Sequence, residues 1–187
     1  MVIKQRKQIR LKKYDYSDAG WYFVTVCTQN MECLFGDIVN NRIILNEFGD
    51  IIKQYWVNIP NHFKNIELDE FQIMPNHIHG IIVIRNSKQY VGAGFPRPIN
   101  KFRPILGQII GYFKYQSTKQ INILMKGSGN PTPTNKYVVK QIFQRSYYEH
   151  IIRTEPDLFR IRQYIRDNPI NWDQDQNNKI VQNIDDI

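Results

Sequence analysis

The chain has 187 residues, a length that suits one domain and is too short for two comfortable ones. Hydrophobic residues make up 42% of the chain and aromatic residues 13%, so a packed core is expected and general disorder is not. The formal net charge of +8 favours an acidic polymer as the binding partner.

Two further features bear on the compartment. No apolar segment of the sequence is long enough for a signal peptide or a membrane span, so no membrane partner is expected. The two cysteines, Cys27 and Cys33, match no metal-binding pattern and provide no disulfide framework. We therefore predict a protein of the reducing cytoplasm.

The first predicted segment is a basic arm over residues 1–13, which contains no acidic residue. Such an arm gains affinity for nucleic acid by displacing counterions from phosphates, and its contribution falls as salt rises. A solvated tail is an equally good interpretation of this charge alone. The cations that would contact DNA are Lys4, Arg6, Lys7, Arg10, Lys12 and Lys13.

A strand and a short hairpin follow the arm. Residues 21–28 are β-branched and aromatic, a composition that predicts a strand. The Asn40-Asn41 pair predicts the turn of a hairpin between residues 37–39 and residues 42–45.

The next predicted elements are a helix and two strands. Asn46 is suited to the N-cap of a helix that ends near Pro60. Residues 66–73 and residues 77–84 predict strands, and the turn at residues 74–76 joins them.

Two glycine- and proline-containing segments, residues 86–103 and residues 127–133, predict loops. Between them, apolar residues recur at helical spacing and predict an amphipathic helix over residues 105–120. Residues 137–143 predict a further strand.

The last predicted helix begins at Thr154, whose side chain is suited to cap the backbone near Asp157, and ends before Pro169. We expect its apolar residues to face the core; these are Leu158, Ile161 and Ile165. Residues 173–187 form a polar tail that we expect to be poorly ordered. The order of elements predicts an α+β domain with a mainly antiparallel sheet and helices on one face.

The sequence His77-Ile78-His79 lies at the start of a predicted strand. Side chains alternate between faces there, so His77 and His79 point the same way while Ile78 points into the core. Two neighbouring imidazoles on a strand form half of a metal site, and a further donor must come from elsewhere. The alternative is a pair of histidines that binds no metal.

Tyr164 and Asn168 are four residues apart on the last predicted helix and therefore share a face. A phenol titrates near pH 10, so it is a competent nucleophile only where a cation polarises the target or stabilises the phenolate. Asn168 could offer its side-chain oxygen to that cation. Alternatively, Tyr164 only flanks the apolar stripe and Asn168 only caps the helix.

Several blocks of the sequence resemble a known family. The segment from Met74 to Gly80, MPNHIHG, resembles the histidine–hydrophobic–histidine motif of the single-tyrosine HUH transposases. The segments from Gln144 to Arg153 and from Tyr164 to Pro169 resemble the two C-terminal blocks of the REP-associated tyrosine transposase branch. Residues 14–28, 35–36 and 45–49 are also similar to that branch, so the resemblance spans about residues 6–172.

The resemblance implies a ferredoxin-like catalytic domain over residues 14–172 that cleaves and rejoins single-stranded or hairpin DNA. Tyr164 would attack a backbone phosphate and hold the 5′ end as a phosphotyrosine, and the freed 3′ hydroxyl could later rejoin strands without a nucleotide cofactor. His77, His79 and, by position, Asn168 would hold Mg²⁺ or Mn²⁺. Such a DNA transposition enzyme would act at the nucleoid, as a monomer or a homodimer.

Further residues are candidates for contact with DNA, each with a plain structural alternative. The flanking cations are Lys114, Arg145, Arg153, Arg162 and Arg166, and a solvated side chain is an equal interpretation for Lys114. Tyr147 and Tyr148 are candidates for stacking on unpaired bases, although core positions suit them at least as well. For His150 we expect a structural hydrogen bond.

Two other functions stay open at this point. The first is a metal-dependent hydrolase, with zinc at His77 and His79 and an activated water. The second is a non-catalytic, domesticated nucleic-acid-binding protein that keeps the basic arm without metal dependence. Substitution of Tyr164 by Phe separates the covalent mechanism from the zinc hydrolase, because only the covalent mechanism needs the phenol.

Overall fold

The computed structural model describes residues 18–85, 104–127, 140–175 and 177–178. The predicted basic arm at residues 1–13, the predicted loop at 86–103, most of the loop at 127–133 and residues 179–187 lie outside the described residues.

Six strands and four α-helices make up the described domain. In chain order they are β1 (Gly20–Cys27), β2 (Gly36–Val39), β3 (Arg42–Leu45), α1 (Glu47–Val57), α2 (Ile59–His62), β4 (Ile66–Ile73), β5 (His77–Ile84), α3 (Leu106–Gly127), β6 (Tyr148–Ile152) and α4 (Glu155–Asp167). Short 3₁₀ turns at Gln29–Met31 and Trp172–Gln174 complete the order.

The main sheet has the strand order β4-β5-β1-β6, and all neighbouring strands are antiparallel. Together with α1 and α3 these strands give the β-α-β-β-α-β order of a ferredoxin-like fold, with the β2–β3 hairpin inserted before α1. The predicted α+β class with a mainly antiparallel sheet is confirmed.

The local signals for the hairpin and the helix starts are also confirmed. Asn40 and Asn41 have φ angles of 51° and 60°, the left-handed conformation of a two-residue hairpin turn. The Asn46 side chain accepts hydrogen bonds from the N–H groups of Phe48 and Gly49 at the start of α1. The Thr154 side chain accepts one from the N–H of Asp157 at the start of α4.

The sheet carries helices on both faces, so the prediction that they all lie on one face is wrong. On one face α1 and α3 pack against Tyr22, Val24 and Ile82, with Trp56 and Phe113 in the core. On the other face α4 packs against a second cluster, which contains Phe23, Ile81, Val83, Leu158, Ile161 and Ile165. The physical reason is that every residue of β5 is buried, so this central strand needs cover on both sides.

Two element boundaries differ from the sequence prediction. Among the described residues 140–143, only Phe143 forms a bridge, with Thr28, whereas the last strand of the sheet lies at Tyr148–Ile152. The polar residues Glu149 and His150 interrupt the apolar pattern of that strand, which is why the pattern points elsewhere. Helix α3 continues to Gly127, beyond the predicted end near residue 120.

The first residues of the predicted polar tail pack against the domain. Trp172 is buried and begins the 3₁₀ turn Trp172–Gln174, and the Asp175 side chain is only 5% exposed. The expectation of poor order for the tail stays a prediction. A buried indole next to the tail supplies the apolar surface that holds it. In the described part of the chain, none of the helices combines the length and apolar character that crossing a membrane requires.

Candidate active site

The two histidines of the motif lie side by side at the start of β5. His77 is fully buried and His79 is 2% exposed. Their Nε2 atoms are 3.0 Å apart, and both rings lie on the face of the sheet that α4 covers. The predicted common orientation is therefore observed.

Asn76 determines which nitrogen of His77 carries the proton. Its amide nitrogen donates to the carbonyl oxygens of Met31 and Asn177, at 3.2 and 2.6 Å, so its Oδ1 must face His77. This oxygen lies 2.8 Å from Nδ1 of His77 and can only accept. His77 is therefore protonated at Nδ1, and its Nε2 lone pair is directed at His79.

Thr25 plays the corresponding role for His79. The Thr25 hydroxyl oxygen lies 2.9 Å from Nδ1 of His79, which is its direct neighbour across the β1–β5 pairing. The hydroxyl oxygen can accept from Nδ1–H of His79, and in that tautomer two Nε2 lone pairs face each other in the buried site. That arrangement is favourable when a cation lies between the two Nε2 atoms. A hydrogen-bond partner at the other ring nitrogen, such as Asn76 or Thr25 here, is typical of metal-binding histidines.

Tyr164 on α4 reaches the same site. Its hydroxyl lies 3.2 Å from Nε2 of His79, and its ring packs 5.1 Å from the His79 ring. Leu158, Ile161 and Ile165 anchor α4 to the sheet, while Tyr164 itself is 45% exposed. The sequence prediction that this phenol meets the histidine pair is confirmed by the geometry.

Two oxygen atoms complete the donor set. Asn168, the C-cap residue of α4, is 4% exposed, and its Oδ1 has no hydrogen-bond partner among the described residues. Asp175 accepts the N–H of Asn177 through Oδ1, whereas its buried Oδ2 makes no hydrogen bond with a described residue and lies 3.7 Å from Nε2 of His77. One donor atom from each of His77, His79 and Asp175 lies within 4.8 Å of the others.

These atoms fit a divalent cation. Two ligands at right angles, each about 2.1 Å from an ion, are separated by about 3.0 Å, which is the spacing of the two Nε2 atoms. Buried oxygen atoms without hydrogen-bond partners are rare in folded proteins and need an explanation such as an ion. A cation near the two nitrogens would satisfy Asn168 and Asp175 together.

Burial controls the protonation of the site. It lowers the pKa of His77 to about 4, although the Asp175 carboxylate and the Asn168 side chain oppose the shift. Burial also lowers the pKa of His79 well below its ordinary value, and the neighbouring His77 adds to this. Both imidazoles are therefore neutral at pH 7, the form that binds metals.

The phenol of Tyr164 is held in its protonated form. Burial raises its pKa, the Asp175 carboxylate raises it further, and the Asn168 side chain opposes both effects. The side chain therefore keeps its proton and needs a nearby cation before it can act as a nucleophile.

Three site residues were not predicted from the sequence: Asp175, Asn76 and Thr25. Asp175 lies in the polar tail, and the signal that could have identified it is Trp172, an aromatic residue at the start of an otherwise polar stretch. The Trp172 ring lies 6.0 Å from the His77 ring and places the tail against the site. Asn76 lies within the motif itself, next to His77.

The predicted DNA-binding cations fall into two groups. Lys114 donates to the carbonyls of Gln144 and Ser146, and burial lowers its pKa to about 8. Arg162 and Arg166 are also engaged, the first with Asp69 through two contacts of 2.7 Å and the second with Glu70. Any contact of these three with DNA would require existing interactions to be shared or opened.

Arg145 and Arg153 form the other group. Both are exposed, and neither takes part in an ion pair within the described ranges. Their role in DNA binding stays a prediction, as does that of the arm. The structural hydrogen bond expected for His150 is observed, because its Nε2 lies 2.8 Å from the carboxylate of Asp157 on α4.

A groove of about 610 Å³ runs between α3 and residues 141–145. Its described lining contains no acidic residue and four basic ones, Lys114, Lys119, Lys126 and Arg145. One wall of the groove is bonded to the main sheet, because the N–H of Gln144 donates to the carbonyl of Cys27, the residue paired with His77.

Comparison with known proteins shows what this chain is similar to. No family model matches the chain. A protein of Haemophilus influenzae described only as uncharacterised is 41% identical over 182 residues, which cover 93% of each chain. A second protein of that organism, named as a REP-associated tyrosine transposase, is 27% identical over 158 residues, or 83% of this chain and 73% of its own.

A solved structure has the same fold. It is that of a REP-associated tyrosine transposase bound to a REP hairpin, with a TM-score of 0.54 and 17% sequence identity, and the match covers 87% of this chain and 73% of the other. The chain is therefore similar in sequence to one protein named as a REP-associated tyrosine transposase and similar in fold to another.

Proposed function

We propose that the protein is a metal-dependent endonuclease and transposase that cleaves and rejoins single-stranded DNA at hairpins through a 5′-phosphotyrosine bond. The observation that carries this proposal is the distance of 3.2 Å between the Tyr164 hydroxyl and Nε2 of His79. It brings a nucleophile next to a buried set of nitrogen and oxygen donors, as a cation-assisted phosphoryl transfer requires.

The proposed cleavage step needs no cofactor other than the metal. The Tyr164 oxygen attacks the scissile phosphorus, a phosphotyrosine bond forms and the bond from phosphorus to the 3′ oxygen breaks. The phenol gives up its proton, and the leaving 3′ oxygen takes one up. Reversal of the same step by a 3′ hydroxyl rejoins strands, so no nucleotide is consumed.

The divalent cation would be held by His77, His79 and Asn168, and we add Asp175 to that set. When bound, it supplies a Lewis acid and a template for the scissile phosphate. Two imidazoles and two oxygen atoms suit Mn²⁺ on ligand preference, and Mg²⁺ on abundance. Asn76 and Thr25 orient the imidazoles so that the Nε2 lone pairs are available.

Several features support DNA as the partner. The groove between α3 and residues 141–145 has four cations, including Arg145, and no described acid in its lining. The basic arm at residues 1–13 would add contacts that weaken as salt rises. The solved relative is bound to a REP hairpin, which motivates hairpin DNA as the first substrate to test. We place the protein in the cytoplasm, at the nucleoid.

One chain supplies the nucleophile and all four proposed ligands. A monomer is therefore sufficient for the site, and a homodimer remains compatible with it. All five residues lie in the described part of the chain, on β5, on α4 and directly after the turn Trp172–Gln174.

The test is covalent capture of DNA. The full chain is mixed with Mn²⁺ or Mg²⁺ and a pool of hairpin oligonucleotides with randomised single-stranded flanks, and adducts stable in SDS are resolved on gels. Wild type and Tyr55→Phe, which removes a hydroxyl on α1 at the sheet face opposite the site, should form the adduct, whereas Tyr164→Phe should not.

The same assay separates the alternatives. A zinc hydrolase would continue to cleave after Tyr164→Phe, because an activated water does not need the phenol. A non-catalytic binding protein would retain oligonucleotides without cutting any of them. Either outcome would exclude the covalent mechanism.

A further inference from the structure

One row of side chains crosses the whole main sheet beside the site. Gln72 on β4 pairs with His79 on β5, His79 pairs with Thr25 on β1, and Thr25 pairs with Tyr148 on β6. Residues opposite each other on neighbouring strands point to the same face. Tyr148 is therefore on the face that carries the histidine pair, two strands from His79.

We propose that Tyr148 is a base-stacking subsite, on which the unpaired base of a nucleotide next to the scissile phosphate packs. This inference rests on the proposed function for its substrate, single-stranded DNA. It assigns Tyr148 the recognition of a base, while the bond-making atoms stay with Tyr164 and the cation.

The exposure of Tyr148 is the first support. Its side chain is 52% exposed, whereas the adjacent Tyr147 faces the opposite side, packs against the main core and lies under the Lys114 ammonium at 5.5 Å. Of the two tyrosines, only Tyr147 therefore occupies a core position. An exposed aromatic ring on a rigid strand is a platform for any base, because every base has a π-face.

The second support is the aromatic contact that joins Tyr148 to the nucleophile. Phe23 is buried and lies with its ring 6.2 Å from Tyr148, 6.1 Å from Tyr164 and 5.4 Å from His79. Both tyrosines meet Phe23 edge to face, an arrangement that fixes ring orientation. Tyr148 and Tyr164 are thus held on either side of one buried ring, and both are open to solvent.

The third support is distance and charge. Two strand spacings separate His79 from Tyr148, about 10 Å, and the sugar and base of a nucleotide extend over a comparable length from their phosphate. The exposed guanidinium groups of Arg145 and Arg153 precede and follow β6 and have no ion-pair partner in the described ranges. They suit the backbone of a strand whose base lies on Tyr148.

The experiment measures stacking without cleavage. Hairpin oligonucleotides retained by the wild-type full chain in EDTA are taken from a pool with randomised flanks, and each flank position is replaced in turn by an abasic nucleotide. Equilibrium binding is compared for wild type, Tyr148→Leu, Tyr148→Phe and Phe159→Leu. Phe159 is the matched control, an aromatic on α4 that is 70% exposed and has no ring contact with the site among the described residues.

We expect Tyr148→Leu to weaken binding about 5- to 150-fold, and Tyr148→Phe and Phe159→Leu to leave it unchanged. In wild type, one abasic position should weaken binding by a similar factor, and that effect should disappear in Tyr148→Leu. Thermal unfolding of all four proteins should agree, since the removed ring is exposed.

The inference is overturned if Tyr148→Leu binds as wild type does, or if wild type retains no oligonucleotide. It is also overturned if, at every flank position, the affinity lost through Tyr148→Leu and the affinity lost through the abasic nucleotide are fully additive. Because EDTA prevents cleavage, this result is independent of the covalent capture assay. A protein that shows the stacking signature and forms no adduct would overturn the proposed nuclease activity and leave the stacking site in place.

Discussion

The hydroxyl of Tyr164 lies 3.2 Å from Nε2 of His79, and when His79 carries its proton on Nδ1 the phenol donates to the lone pair that a cation would use. A single lone pair cannot serve a proton donor and a metal ion together. The cation-free arrangement therefore opposes metal binding by the strength of one hydrogen bond, and the phenol must leave His79 when the ion binds.

We therefore predict that Tyr164→Phe raises the affinity for Mn²⁺ by about 2- to 10-fold, the value of one hydrogen bond, while it abolishes the covalent adduct. Isothermal titration of the cation-free protein measures the affinity. His79→Ala is the control and should lose binding. A lower affinity in Tyr164→Phe would mean that the phenol itself is a ligand and that the competition is incorrectly assigned.

Thr25 offers a second prediction, on the orientation of His79. Thr25→Val keeps the shape of the side chain and removes the oxygen that lies 2.9 Å from Nδ1 of His79, so we expect Mn²⁺ affinity to fall about 10- to 100-fold. Thr25→Ser keeps that oxygen and should bind as wild type does. Equal affinities for the valine and serine variants would show that this hydrogen bond does not prepare the site.

Asp175 gives a third prediction. Asp175→Asn removes one negative charge from the donor set, so Mn²⁺ affinity should fall about tenfold or more, since ligand charge tunes affinity. The pKa of Tyr164 should also fall in the cation-free protein, because the Asp175 carboxylate is one of the groups that raise it. Titration of ¹³C-labelled tyrosine by NMR follows that pKa.

Asp173→Asn is the matched control for this experiment, because Asp173 lies two residues away and is exposed. It should change neither the metal affinity nor the tyrosine titration. If both variants behaved alike, the effect would reflect the general charge of the tail and Asp175 would not be a ligand.

That His77 and His79 share one face of a strand, and Tyr164 and Asn168 one face of a helix, could be predicted because strand alternation and helix spacing are local properties. That the two pairs meet was implied only by the resemblance to the transposase family, because the contact between strand and helix is tertiary. Asp175 was missed for the same reason, and Trp172 at the start of the tail is its one local signal.

The same distinction explains the corrections in the fold. Arg162 and Asp69 are 93 residues apart in sequence, so their pairing could not be predicted before the fold was known, and the DNA contact of Arg162 stays a prediction. The second helical face of the sheet was missed for a related reason. The sequence of a strand that is apolar on both faces does not indicate which helix packs against each face.

The Arg162–Asp69 pair gives a fourth prediction, on stability. Both side chains are partly buried and the contact is bidentate, so Asp69→Asn should lower the free energy of unfolding by about 1 kcal/mol at pH 7. The pKa of Asp69 lies below its ordinary value of 3.8, chiefly because of the hydrogen bond from Arg162.

A lowered carboxylate pKa stabilises the fold above the unfolded value, and this contribution is lost as pH falls through the folded value. The difference between wild type and Asp69→Asn should therefore shrink below about pH 4. Urea denaturation across pH measures it. As a control, Glu67→Gln breaks the exposed pair with Arg85 and should change the free energy of unfolding little at either pH. A difference between wild type and Asp69→Asn that persists at low pH would argue against the ion pair.

The fifth prediction concerns the glycine that follows His79 in β5. A methyl group at residue 80 would overlap the indole ring of Trp56, which is fully buried against the sheet. Gly80→Ala must therefore displace that ring or the strand beneath it, and we expect a loss of about 1 to 3 kcal/mol in the free energy of unfolding.

Gly111→Ala on α3 is the control for Gly80→Ala, because nothing lies within 4 Å of the added methyl group there. Alanine favours the helix, so this variant should be stabilised by up to about 1 kcal/mol. Because Gly80 adjoins His79, displacement of β5 should also widen the spacing of the two Nε2 atoms and weaken Mn²⁺ binding, whereas Gly111→Ala should leave it unchanged. A Gly80→Ala protein as stable as wild type would show that Trp56 can move, and that this ring does not hold the histidine strand in position.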